Sequence, residues 1–219
     1  MAAAKGDCKH MSQVVVFVQG IVLYLLLYNR VQTVRRPGRV RRLVKGIRPR
    51  HVVTALGALL GTVLILVGLE SIGGLFSVGW WSQMGGEGNV VAGGASSAEG
   101  HPLILPLMVL IPVALLLNIP SFAFKEEVWF RADAATNDLM ENVQGALKFG
   151  LLHMLVGIPL SAALALAAFG GFLTWRFVRV AGRDGRVAAL YENARIHATY
   201  NAVIVLLLMA VLSIRLFGV

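Results

Sequence analysis

The chain has 219 residues, of which 57% are hydrophobic and 14% charged, with a formal net charge of +9. A soluble domain carries about 25% charged residues, so the composition excludes an ordinary water-soluble domain and indicates an integral membrane protein of several helices. The excess base lies between apolar segments, where it sets topology and argues against a nucleic-acid partner; a single cysteine, Cys8, excludes an internal disulfide and a multi-cysteine metal site.

Residues 1–13 form a polar N-terminus. Met1 to His10 lacks the pattern of a cleavable signal, so the first apolar segment, Val14 to Tyr28, is expected to stay as an anchor. That segment is short for a span, and Gln13 and Asn29 extend it toward the roughly 20 residues a bilayer requires. Arg30 to His51 is strongly basic and holds no acid. The positive-inside rule places it in the cytoplasm, against anionic lipid headgroups. Val52 to about Gly79 reads as the second span, with Gly57, Gly61 and Gly68 permitting close packing. Glu70 near its end is interfacial or paired within the bundle. Trp80 and Trp81 mark the opposite interface, and Ser82 to His101, without Lys or Arg, is a flexible outer loop. Residues 14–101 thus make an N-terminal group of membrane helices with a basic inner loop and a Gly-rich outer loop.

Residues 102–219 make a second helix bundle. Pro102 to about Arg131 is the third span, kinked at Pro106, Pro112 and Pro120. Ala132 to Lys148 is a turn followed by an amphipathic helix start. The apolar run Phe149 to Val178 is broken at Gly157-Ile158-Pro159. It reads as two helices, about Asn137 to Gly157 and Pro159 to Val178, so that Arg176, Arg179, Arg183 and Arg186 return to the side of the first basic loop. Ala188 to Phe217 is the last helix, amphipathic at its start. The fold class is all-α: a multi-pass transmembrane helix bundle of about six spans, with both termini outside.

The third span ends in Lys125-Glu126-Glu127-Val128-Trp129-Phe130-Arg131. Glu127 and Arg131 are four apart and share a helix face, whereas Glu126 lies about 100° round the helix without that partner. Two carboxylates at that depth are costly unless something uses them, although the cluster could simply mark the interface. His153, and the pair His197 and Asn201 on one face of the last helix, are also unexpected in apolar helices. Each could serve packing alone. Together they contain what amide hydrolysis needs. Glu126 can take a proton from water, His153 can hold that water or relay the proton, and His197 with Asn201 can donate to an oxyanion. Glu126, His153 and His197 could equally bind zinc with a water in the open position, although no HExxH-type pair surrounds Glu126.

The motifs Glu126-Glu127-Val-Trp-Phe-Arg131, Phe149-Gly-Leu-Leu-His153 and His197-Ala-Thr-Tyr-Asn201 follow one another on separate apolar helices. In this order they resemble the EExxxR, FxxxH and HxxxN signature of the CPBP intramembrane proteases, the CAAX-protease and bacteriocin-processing group. The resemblance spans about residues 105 to 205. It departs from the pattern at Ala132, where a glycine is common, and in the small number of spans. It implies an intramembrane (metallo)endopeptidase that cleaves a membrane-associated peptide or protein in or beside the bilayer, in a prokaryotic cell membrane. It implies catalytic roles for Glu126, Glu127, His153, His197 and Asn201, and structural roles for Arg131 and Phe149. The cofactor it implies is one divalent metal such as zinc, or none, since a metal-free glutamate mechanism has also been argued for the family. The alternative of a different class is a non-catalytic membrane scaffold or bacteriocin-immunity protein on the same fold. Hydrolysis requires Glu126, His153, His197 and Asn201 to meet around one cavity, within about one water of each other. It also requires His153 to lie within about two turns, roughly 11 Å, of the depth of the others.

Overall fold

The computed structural model describes residues 2–35, 37–72, 74, 76–83 and 102–217. Among these, all regular structure is helical: α1 (Ala2–Arg35), α2 (Gly38–Lys45), α3 (Pro49–Ser71), α4 (Trp80–Gln83), α5 (Ile104–Arg131), α6 (Leu139–Leu152), a 3-10 turn (His153–Val156), α7 (Leu160–Asp184) and α8 (Arg186–Phe217). Five of them, α1, α3, α5, α7 and α8, are long and apolar enough to cross a membrane. The shorter α6 with its 3-10 extension is the remaining limb of the six expected from the sequence. The chain is therefore a multi-pass, all-α membrane protein.

The first span is longer than its apolar run suggested, covering Gln13–Arg35. Polar residues extend it because α5 supplies their partners. Lys125 donates to Asn29 Oδ1 at 2.5 Å, Asn29 Nδ2 to Asn118 Oδ1 at 2.6 Å, and Thr33 to Ser121 at 3.1 Å. A polar seam inside hydrocarbon holds only when both sides of it are satisfied. The same seam serves the proline-interrupted α5, which runs through Pro112 and Pro120 as one helix. Two carbonyls in the turns near Pro120 also receive side-chain donors: Asn118 Nδ2 reaches Ala114 O at 2.7 Å, and Arg30 reaches Leu117 O at 3.1 Å.

The second span ends at Ser71, earlier than the apolar stretch does. The chain then folds back, and Phe76 and Val78 accept backbone bonds from Ser161 and Leu160 at 2.8 and 3.0 Å. Glu70 accepts from the hydroxyls of Ser77 and Ser161, so it is paired within the bundle. Trp80 donates through Nε1 to Met154 O at 2.6 Å. Trp81 is buried with Val15 and Met108. This end of the molecule thus gathers the starts of α1, α5 and α7. Of the expected outer loop Ser82 to His101, residues 84–101 lie outside the described residues.

The break at Gly157-Ile158-Pro159 is where the sequence placed it. Gly157 takes φ 87°, a conformation an L side chain rarely adopts. The preceding helix starts at a capping box: Asp138 accepts from the Glu141 amide at 2.8 Å, and Glu141 accepts from the Asp138 amide at 3.0 Å. α6 and α7 then cross so closely that a Cβ on Gly150 would fall on the backbone of Ala163 and Ala167.

At the other end the two basic segments come together around Glu192. Its carboxylate receives Arg50 at 3.0 Å, Arg195 at 2.9 Å and, at 3.8 Å, Arg176. The Arg48 amide donates to His51 Nδ1 at 2.8 Å, which leaves Nε2–H of His51 to donate to Glu192 at 3.1 Å. Arg195 also reaches Leu43 O, and Leu43 is buried with Ile119, Phe124 and Ala194. These contacts seat the short basic α2 on α5 and α8.

Candidate active site

Each motif lies where a helix end meets the bundle centre. Glu126, Glu127 and Arg131 occupy the last turns of α5, Phe149 and His153 the end of α6, and His197 the first half of α8. The i,i+4 reading of the acidic motif holds: Arg131 Nη1 donates to Glu127 Oε1 at 2.8 Å, and both side chains are fully buried. The same oxygen accepts from His197 Nδ1 at 2.8 Å, and Glu127 Oε2 accepts from Asn193 Nδ2 at 3.3 Å. The Arg131 guanidinium lies over the Phe149 ring at 4.6 Å. Its Nε faces Gly170 O at 3.4 Å, and the absence of a side chain at Gly170 makes that approach possible, since a Cβ there would come within 2.9 Å of Phe149.

Glu126 has different surroundings. Its Oε2 is buried, has no hydrogen-bond partner among the described residues, and lies 3.4 Å from His197 Nε2. The side chain as a whole keeps 23% exposure. His197 therefore stands between two carboxylates, one bonded and one merely close. Two aromatic edges hold its ring: Phe149 at 5.5 Å and Phe169 at 5.6 Å between centroids. With Nδ1–H donated to Glu127, Nε2 is the nitrogen turned to the open carboxylate.

His153 also packs against Phe149, 4.8 Å between ring centroids. Two imidazoles on one phenyl ring stand less than two helical turns apart, about 11 Å. His153 therefore lies within two turns of His197. The ring nitrogen Nδ1 bonds Phe149 O at 2.7 Å. A carbonyl only accepts, so Nδ1 carries a proton and Nε2 is left for another partner. The structure does not bring all four groups into direct contact. Asn201 is partly buried one turn beyond His197.

Asn193 was missed from the sequence. It is fully buried, and it bonds Leu173 O at 2.7 Å besides Glu127. Among Tyr191, Glu192 and Arg195 it reads as part of a polar surface. The available signal was spacing, because Asn193, His197 and Asn201 recur every four residues on one face of α8.

A metal was tested against the donor set. Among the described residues no three His, Cys, Asp or Glu side chains gather into a group that could hold an ion. His197 Nδ1 is already committed to Glu127. As these side chains stand, Glu126, His153 and His197 do not fit zinc, and no step below runs through a metal. Comparison with known protein families, with curated proteins and with solved structures returned no match.

Proposed function

We propose that the chain is an intramembrane endopeptidase that hydrolyses a peptide bond of a membrane-associated peptide or protein, with Glu126 as general base. The observation that carries this reading is the unequal treatment of two adjacent carboxylates. Glu127 is closed off by Arg131, His197 and Asn193, whereas Glu126 holds a buried oxygen with no donor, next to an imidazole. A buried unpaired carboxylate oxygen costs stability, and such costs cluster where the group is used.

The chemistry then follows from atom positions. Ionised Glu126 accepts a proton from a water at Oε2, and the water oxygen adds to the carbonyl carbon of the peptide bond. The π electrons move to the carbonyl oxygen. His197, oriented through Nδ1 by Glu127, faces that oxyanion with Nε2 and donates to it. Asn201, on the same face of α8, supplies a second donor. The Nε2 lone pair of His153 accepts from the attacking water and orients it. Collapse of the tetrahedral adduct breaks the C–N bond, and the amine leaves with the proton that Glu126 took up. Arg131 and Asn193 are positioning residues, acting through Glu127 on His197.

The setting that this reading implies is a prokaryotic cell membrane, as for the bacterial proteins whose motifs these resemble. Anionic headgroups are the natural partners of Arg39, Arg41 and Arg42 on α2. The test is a comparison of membrane-protein termini in cells carrying the wild-type chain or Glu126→Gln at equal abundance. New internal C-termini that appear with the wild type alone support hydrolysis. Identical termini in both would leave the non-catalytic scaffold.

A further inference from the structure

Two apolar grooves flank α7. One, of about 530 Å³, runs between α6 and α7 past Leu147, Leu164 and Trp175, and none of Glu126, His153, His197 or Asn201 lines it. The other, of about 400 Å³, runs between α3 and α7 and is lined by Thr54, Gly57, Gly61, Thr62, Phe169 and Phe172 among others. Phe169 connects that second groove to the candidate site. Its ring stacks on Tyr200 at 3.9 Å and meets His197 edge-on at 5.6 Å. One aromatic ring thus separates the groove from the imidazole that faces Glu126.

We propose that the α3–α7 groove is the lateral subsite for an apolar peptide segment in extended conformation, which reaches His197 from the bilayer past Phe169. Its occupant's identity as substrate rests on the hydrolytic reading above. Three observations favour this occupant. The wall is open to the lipid side of α3, where a Cβ on Gly57 or Gly61 would meet nothing within 4 Å. The volume falls in the range of ligand pockets, about 300–1,000 Å³. A peptide bond inside a helix is shielded by the neighbouring turns, so the segment that hydrolysis requires is unwound, and an unwound backbone in hydrocarbon needs partners for its amides. Thr54 and Thr62, two turns apart on α3, supply them. Each hydroxyl proton is spent on its own helix, on Arg50 O at 2.7 Å and Ala58 O at 2.9 Å. The Thr54 oxygen keeps its acceptor capacity for a peptide N–H, and the Thr62 oxygen, which already faces the Tyr200 hydroxyl, keeps one further lone pair. An acyl chain has no use for such acceptors.

The experiment places benzoylphenylalanine at position 61, or at position 164 in the other groove, in the full chain carrying Glu126→Gln. The protein is reconstituted in phosphatidylglycerol–phosphatidylcholine vesicles. The probe is a biotinylated Leu/Ala peptide of about 25 residues, long enough to span, with a central Gly-Pro pair that unwinds it. Adduct from position 61 is expected to exceed that from 164 by tenfold or more. Adding Thr54→Val and Thr62→Val should lower the position-61 adduct at least threefold. Equal adducts at the two positions, a preference for 164, or indifference to the threonines would overturn the proposal. Cleavage of the same peptide by the wild-type chain is scored separately. Glu126-dependent cleavage with equal adducts removes the groove and leaves the protease, and a position-61 adduct without any cleavage removes the protease and leaves a peptide-binding groove.

Discussion

Glu127 accepts from Arg131, His197 and Asn193 in a space closed to water, and that concentration of bonds makes it structural. Removing one partner of a buried ion pair costs about 3–5 kcal/mol, because the other charge stays buried. Arg131→Met is therefore expected to lower the unfolding midpoint of the detergent-solubilised protein or its folded yield, and unchanged values would show that Glu127 finds another donor. Asn193→Ala removes two bonds at once and leaves Leu173 O and Glu127 Oε2 short of a donor, a loss of about 1–3 kcal/mol for a buried group. The same unfolding assay reads it. At this scale the sequence was informative where geometry is local. The Glu127–Arg131 pair and the separate face of Glu126 follow from helix spacing alone. Asn193 was obscured by charged neighbours, and the Ser161 hydroxyl on Glu70 is 91 residues away, a distance no periodicity spans.

Between elements, the closest approach of α6 and α7 decides whether Phe149 and His153 reach His197. Gly150 sits at that approach, and Gly150→Ala would drive a methyl into the Ala163 carbonyl and the Ala167 amide. Overpacking of this kind costs about 1–3 kcal/mol. On the open face of α3, Gly61→Ala meets nothing and should gain about 0.5–1 kcal/mol from helix propensity. Thermal unfolding of the two variants side by side is expected to give shifts of opposite sign, and a stable Gly150→Ala protein would contradict the tight crossing. The break before Pro159 was legible because Gly and Pro write it directly into the chain. The full length of α1 was not, since Arg30 and Thr33 read as the start of the basic loop. The helix continues there with partners from α5: Asn118 and Lys125 for Asn29, and Ser121 for Thr33.

For the molecule as a whole, charge distribution predicted that the two basic segments share a side, and the contacts of Glu192 with Arg50, Arg176 and Arg195 join them at one end. The opposite end gathers Trp80, Met154 and the start of α7. Single cysteines at Ser82 and Arg183, in a chain with Cys8→Ser, should therefore label from opposite sides of sealed vesicles; labelling from one side would refute the topology. What the charge pattern could not supply is the proposed function, which rests on how Glu126 differs from its neighbour. That difference is read most directly from specific activity per folded protein for Glu126→Gln and Glu127→Gln in one detergent, on a peptide that the wild-type chain cleaves. Glu126→Gln keeps the shape but removes the base, so turnover should fall about a hundredfold or more with folded yield unchanged, while Glu127→Gln should chiefly lose folded protein. A well-folded, inactive Glu127→Gln beside an active Glu126→Gln would reverse the assignment, and normal cleavage by both would contradict glutamate-driven hydrolysis altogether.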